Sequence, residues 1–206
     1  MCFYFGIPIV FSDISFTDGN FDDILFNKFD LQSIYRENRM TIANLAINTS
    51  LGHLNFSGWF TNSGDNFEFL GKDILNINGD FDNFELAYLM RYFPWEQKTS
   101  GLLSGAFSID GYADSPVIRL TSNIDKPVFD RAVGENLSAN LVYKKDRLYL
   151  KNLKLKTLYG DYTGTGSLPA DLNFIKLSNL NISSQPLDFI FTGKSKSLEF
   201  LVPYTD

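Results

Sequence analysis

Arg147-Leu148-Tyr149-Leu150-Lys151-Asn152-Leu153-Lys154-Leu155-Lys156 alternates apolar and polar side chains, pauses for one residue, and alternates again. A period of two residues marks a strand with one apolar face. Leu148 and Leu150 take that face, and the lysines and Tyr149 take the other. The pause at Asn152 changes parity, as a bulge or a corner does, and keeps Leu153 and Leu155 in the same row. The stretch has a counterpart 108 residues upstream, where Met40 and Ile42 are followed, after the same break, by Leu45 and Ile47.

The echo is longer than one strand. Residues 21–63 lie over 129–171 without a gap, with nine identities in 43 positions. They are Phe21/Phe129, Asp22/Asp130, Tyr35/Tyr143, Arg39/Arg147, Asn44/Asn152, Leu45/Leu153, Thr49/Thr157, Gly52/Gly160 and Gly58/Gly166. A repeat of this length is a structural module that buries its apolar face against the next. Two modules are expected, 1–95 and 96–206, each incomplete at its outer end. Residues 96–100 form the polar connector. Arg36-Glu37-Asn38-Arg39 and Lys144-Lys145-Asp146-Arg147 read as hairpin turns, with Asn or Asp at the position that needs positive φ. Gly79-Asp80, Asp110-Gly111 and Asp114-Ser115-Pro116 are further turn candidates. Residues 83–92 predict the one helix, ended by Pro94.

Composition narrows the function classes. Aromatic residues make up 16% of the chain, with 20 Phe and 10 Tyr, which favours strands. The net charge is -6 and no basic stripe exists, so nucleic acid is not an expected partner. Cys2 is the sole cysteine, so no internal disulfide forms. Residues 1–11 are apolar but too short to span a bilayer. They lack the basic flank of a signal peptide, and they read as a strand cut from something longer.

Catalytic chemistry is poorly supplied. His53 is the only histidine, which excludes a multi-histidine metal site or a His-dependent triad built within the chain. The runs Asn76, Asn78, Asp80, Asp82 and Asp13, Asp18, Asp22, Asp23 miss the order of a calcium loop and read as polar turns. No cofactor is expected, and no enzyme activity.

Two stretches carry a family pattern. The first is Gly101-Leu102-Leu103-Ser104-Gly105-Ala106-Phe107-Ser108-Ile109-Asp110-Gly111, followed by Pro116-Val117-Ile118-Arg119-Leu120. The second is Leu137 to Tyr143, then Arg147 to Leu150, closing on Tyr159-Gly160-Asp161-Tyr162-Thr163-Gly164-Thr165-Gly166-Ser167-Leu168-Pro169. Together they resemble the repeat of the AsmA-like superfamily, most closely its TamB branch, over roughly 81–175. The resemblance implies a mainly β fold, an elongated, bent sheet of taco or solenoid form with an open apolar groove. It implies a segment of a periplasm-spanning bridge, anchored to the inner membrane of Gram-negative bacteria by a helix lying outside this chain. Such bridges carry phospholipid to the outer membrane or support outer-membrane protein assembly with a BamA-like partner.

The groove residues follow from the alternation. Leu148, Leu150, Leu153 and Leu155, continued by Leu141, Ile109, Ile118 and Leu120, give a hydrocarbon surface in the second copy. Met40, Ile42, Leu45 and Ile47 give it in the first. An acyl chain in water costs about 0.8 kcal/mol per methylene, which such a surface removes without any polar contact. Phospholipid acyl chains are the expected partner. The alternatives are a structural or adhesive β-solenoid or sandwich without lipid, and a carbohydrate-active protein using Trp59 and Trp95.

Overall fold

The computed structural model describes residues 9–21, 24–63, 69–92, 98–130, 132–172, 174 and 188–195. The alternating stretches are strands: β1 (Ile9–Phe21), β2 (Ile24–Arg36), β3 (Arg39–Thr49), β4 (Gly52–Thr61) and β5 (Ile74–Glu85). After a short helix α1 (Leu86–Leu89) come β6 (Thr99–Tyr112), β7 (Ser115–Phe129), β8 (Ala132–Val133) and β9 (Asn136–Lys144). The series ends with β10 (Arg147–Lys156), β11 (Gly160–Pro169) and β12 (Asp188–Ser195). They form one open antiparallel sheet in the order β1-β2-β3-β4-β5-β6-β7-β9-β10-β11-β12, with β8 paired to β7. The sheet crosses the expected module boundary without a break, because β5 pairs with β6 from Ile74↔Tyr112 to Glu85↔Leu102. Thr99 and Ser100, assigned to the connector by sequence, already belong to β6.

The repeat holds at the level of elements. β3 and β4 begin at Arg39 and Gly52, and β10 and β11 begin 108 residues later at Arg147 and Gly160. Both hairpins shift register at the parity break, between Ile42 and Leu45 in one and between Leu150 and Leu153 in the other. The turns before β3 and β10 are left-handed at both central residues, Glu37-Asn38 and Lys145-Asp146. This handedness matches the twist of a tight hairpin.

Two expectations fail for related reasons. The helix begins at Leu86 and not at Asn83, because residues 83–85 extend β5. Asn83 has φ 57°, its N–H donates to Ser104 Oγ, and a bulge between Phe81 and Phe84 carries the strand on. The run Asn76 to Asp82 is strand as well, Gly79-Asp80 included. Its polar side chains find partners on neighbouring strands: Asn76 donates to Asp110 Oδ1 at 3.0 Å, Asn55 to Asp80 Oδ2 at 3.2 Å, and Ser104 to Asp82 Oδ1 at 2.6 Å. Cross-strand pairing of this kind overrides the weak strand propensity of Asn and Asp. Asp110-Gly111 also lies within β6; the turn is Ala113-Asp114. Of the other acidic run, Asp13 and Asp18 are in β1, and Asp22 and Asp23 lie outside the described residues.

Fully buried side chains do not form a central core. Leu75, Ala113, Tyr143 and Ala170 are buried at one margin of the sheet, and Leu86 and Tyr88 at the other. Between the margins the apolar face is half-buried and carries no second layer among the described residues. Neighbouring side chains on the same face account for that half-burial, and outward residues such as Thr41, Trp59 and Val142 are half-buried in the same way.

Candidate functional site: an apolar trough

Residues directly opposite in an antiparallel ladder point to the same face. This rule places all twelve groove candidates on one side of the sheet. Ile109 faces Ile118, which faces Tyr143, which faces Leu148. Leu120 faces Leu141, which faces Leu150, and Leu153 and Leu155 follow past the bulge. In the first copy Met40 faces Phe60, Ile42 faces Gly58, Leu45 faces Phe56 and Ile47 faces Leu54. β5 joins the two groups, since Ile77 pairs with both Gly58 and Ile109. Each of the twelve is half-buried.

The floor contains more than the alternation alone showed. Leu31, Phe56, Phe60, Phe81 and Phe107 belong to the same face through their partners Leu45, Met40, Leu54 and Leu120. Their signal was present as Phe56-x-Gly58-x-Phe60 and Leu75-x-Ile77-x-Gly79-x-Phe81, once glycine counts as an inward position. The glycines there are spacers for rings. A Cβ on Gly105 would stand 2.7 Å from the Phe81 ring, and one on Gly79 would stand 2.6 Å from the Phe107 ring. Aromatic rings therefore lie flat across the neighbouring strand and leave a smooth hydrocarbon floor.

The opposite face is largely polar from β3 to β10, with Phe11, Ile34 and Ile190 exposed on it towards the two ends. It carries Asn48, Asn55, Asn76, Asp80, Asp110, Arg119, Asn140 and Lys154, tied by bonds such as Arg119 Nη1 to Asp110 Oδ2 at 3.0 Å. His53 stands on this face, with Nδ1 3.0 Å from Asn48 Oδ1. Trp59 does too, beneath the Arg39 guanidinium at 4.0 Å, and Trp95 lies outside the described residues. No metal-ligating cluster and no helix long and apolar enough to cross a membrane occur among the described residues.

Across the strands the floor runs through eleven strands, a path of about 50 Å at roughly 4.8 Å per spacing. Its margins are built differently. At one, Asp73 is wholly buried and accepts from the Ser63 N–H and hydroxyl, the Thr61 hydroxyl at 3.1 Å and the Leu70 N–H at 2.7 Å. Burial pushes its pKa up, but these donors outweigh burial and hold the carboxyl below its ordinary value. Phe69 closes the same margin with Phe60 and Phe174, at ring separations of 5.4 and 6.4 Å. Nothing in the sequence around Asp73 marks it as a buried carboxylate. At the other margin α1 lays Leu86 and Tyr88 over the floor. At the two ends the floor opens: Ile14 in β1 is 47% exposed and Phe191 in β12 is 62% exposed. Comparison with protein-family models, with curated protein sequences and with solved structures returned no match.

Proposed function

We propose that this chain is a conduit segment that shelters phospholipid acyl chains along an apolar trough running across its strands. One observation carries the reading: a continuous, largely apolar face of Leu, Ile, Phe, Tyr and Gly with a few serines spans eleven strands, with no second layer on it among the described residues. A sealed sandwich would bury that face completely; a water-exposed apolar floor of this size has a ligand or a partner as its natural cover. Polar side chains are sparse on the floor, with Ser33 and Ser122 among them, so a hydrocarbon chain meets few sites at which to stop. The resemblance to the TamB branch of the AsmA-like superfamily agrees with this reading. What that resemblance implies is a periplasmic segment of a bridge whose ends meet the inner membrane and an outer-membrane BamA-like partner.

The test is purification of the chain without detergent, followed by mass spectrometry of the extracted organic phase. Phospholipid should co-purify with the native chain. The variants Leu150→Asp and Ile42→Asp should lose it while keeping the sheet signal in circular dichroism. Half-exposed floor positions should lose about 1–2 kcal/mol of stability on this change, well under the cost of charging a closed core. Wholesale unfolding of both variants, or a native chain without lipid that stays monodisperse, would sink the conduit.

A further inference from the structure

Two cavities flank α1, and one side chain stands between them. The first, about 200 Å³, is lined by Ile24, Phe26, Ile47, Leu54, Phe84 and Tyr88 at the edge of the floor. Thr49 and Glu85 join the lining at its rim, and the surface it presents is hydrocarbon and aromatic ring. An engineered apolar cavity of about 150 Å³ stays dry and takes up benzene, so a space of this size and lining favours a hydrocarbon guest. The second, about 510 Å³, lies on the other side of α1 and is lined by Arg91, Lys98, Thr99, Ser100 and Asp130, with Met90 and Val128. The Arg91 guanidinium lies 4.7 Å from the Tyr88 ring centroid, and Tyr88 is a wall of the apolar cavity. A cation is thus fixed against the ring that closes a hydrocarbon space. Neither Arg91 nor Lys98 forms an ion pair with a described residue.

We infer that the α1 margin is a head-group site: it holds the phosphate of a single-tailed or tilted anionic amphiphile at Arg91 and Lys98, with the start of its tail in the apolar cavity. The inference rests on the trough reading and adds charge selection to it. Ser100, on the same face as its cavity-lining partner Val128, supplies a hydroxyl donor beside the two cations, and this suits phosphate. Asp130 opposes the anion from the same cavity, and among the described lining residues Arg91, Lys98 and Asp130 sum to +1. Bound there, an amphiphile points its tail at the floor from the side. The margin then acts as an entry point, distinct from the two open ends.

Titration calorimetry on the full chain separates the possibilities with three probes. These are dodecyl phosphate and dodecyl maltoside, each below its micelle concentration, and inorganic phosphate. Dodecyl phosphate should bind tighter than dodecyl maltoside, and inorganic phosphate should bind far more weakly than either. The double variant Arg91→Gln/Lys98→Gln should weaken dodecyl phosphate about tenfold or more and leave dodecyl maltoside within about twofold. Asp130→Asn should tighten dodecyl phosphate alone. Melting curves check that each variant stays folded, and the paired variant Arg91→Lys should retain most of the selectivity. Equal weakening of both amphiphiles, or unchanged dodecyl phosphate binding, overturns the head-group site while leaving the trough intact. Inorganic phosphate binding as tightly as dodecyl phosphate reduces it to a plain anion site. Failure of both amphiphiles to bind the native chain rejects the trough itself.

Discussion

The hairpins β3–β4 and β10–β11 are built alike, and the chain segments that follow them are not. In both, a threonine hydroxyl closes the turn: Thr49 donates to the Gly52 carbonyl and accepts from the Leu51 N–H, and Thr157 does the same with Gly160 and Tyr159. In both, a tyrosine hydroxyl reaches the turn residue three positions on, Tyr35 to Asn38 and Tyr143 to Asp146. The strap leaving each hairpin bonds back to the same turn, Asn62 N–H to Asn38 O and Ala170 N–H to Asp146 O. Beyond that point the copies part. The first strap is pinned by the buried carboxylate of Asp73. The second is pinned by Tyr143, which is 1% exposed and accepts from the Leu172 N–H at 3.1 Å. The module fixes the floor and its turns. The straps, free of that constraint, close the margin with whatever donors and acceptors each has.

The largest effect should come from the strap of the first copy. Asp73→Ala removes the common acceptor of the part-buried donors of Ser63, Thr61 and Leu70 at once, and should cost about 3 kcal/mol in urea unfolding. Asp73→Asn keeps part of the acceptor set and should fall between. A loss below about 1 kcal/mol would mean that the strap does not hold the margin.

The second strap is held by the Tyr143 hydroxyl together with the Phe174 N–H bond to the Ala113 carbonyl and the Phe69–Phe174 ring contact, so loss of the hydroxyl alone has a smaller effect. Tyr143→Phe removes the acceptor of the Leu172 N–H and should cost about 1.5 kcal/mol. Tyr35→Phe, at the equivalent place in the first copy, loses an exposed, long bond of 3.3 Å to Asn38 and should cost less than Tyr143→Phe, about 1 kcal/mol. Equal losses would erase the distinction between the copies.

The two straps should also fail at opposite ends of the pH scale. The Asp73 carboxyl is held below its ordinary 3.8, so its contribution is full above that value and is lost as pH falls through the lowered folded one. Burial first, and then the Asp146 carboxylate, push the Tyr143 hydroxyl above its ordinary 10.0, against the lowering effect of the Leu172 N–H. Its contribution is full below that value and is lost as pH climbs through the raised one. Melting temperatures of the native chain should fall more steeply than those of Asp73→Asn in acid, and more steeply than those of Tyr143→Phe in alkali. Parallel curves in either limb would remove that group from the margin's support.

What the sequence made legible was what repeats. The offset of 108, the turn residues and the parity break at Asn44 and Asn152 specify the strands and put Leu148 and Leu155 on one face. β5 was misread because its inward positions include Gly79 and its outward ones are Asn and Asp, the residues that also make turns. Only the neighbours Phe107, Asn55 and Asp110 distinguish the two cases, and they lie 25 to 34 positions away in sequence. Asp73 and the α1 margin were invisible for another reason. Each depends on three or more segments meeting at a margin, and no local period encodes that.

The smallest effect is the most specific test of the shared module. Each bulge puts two residues opposite one: Ala43 and Asn44 face Ser57, and Lys151 and Asn152 face Thr165. Deleting a strand residue ordinarily turns every later side chain to the wrong face. Here the arithmetic is different. Without Lys151 the order becomes Leu148, Tyr149, Leu150, Asn152, Leu153, Lys154, Leu155, a plain alternation that keeps every leucine on the floor and pairs Asn152 with Thr165. The deletion should therefore cost less than about 1 kcal/mol, and so should deletion of Ala43. What it removes is the local kink that a bulge adds to its strand. That kink changes how far the floor's side chains cover one another, so both deletions should increase binding of a hydrophobic dye by the folded protein. Unfolding by either deletion would show that the bulge is required to fold the hairpin, and dye binding unchanged in both would show that the kink does not shelter the floor.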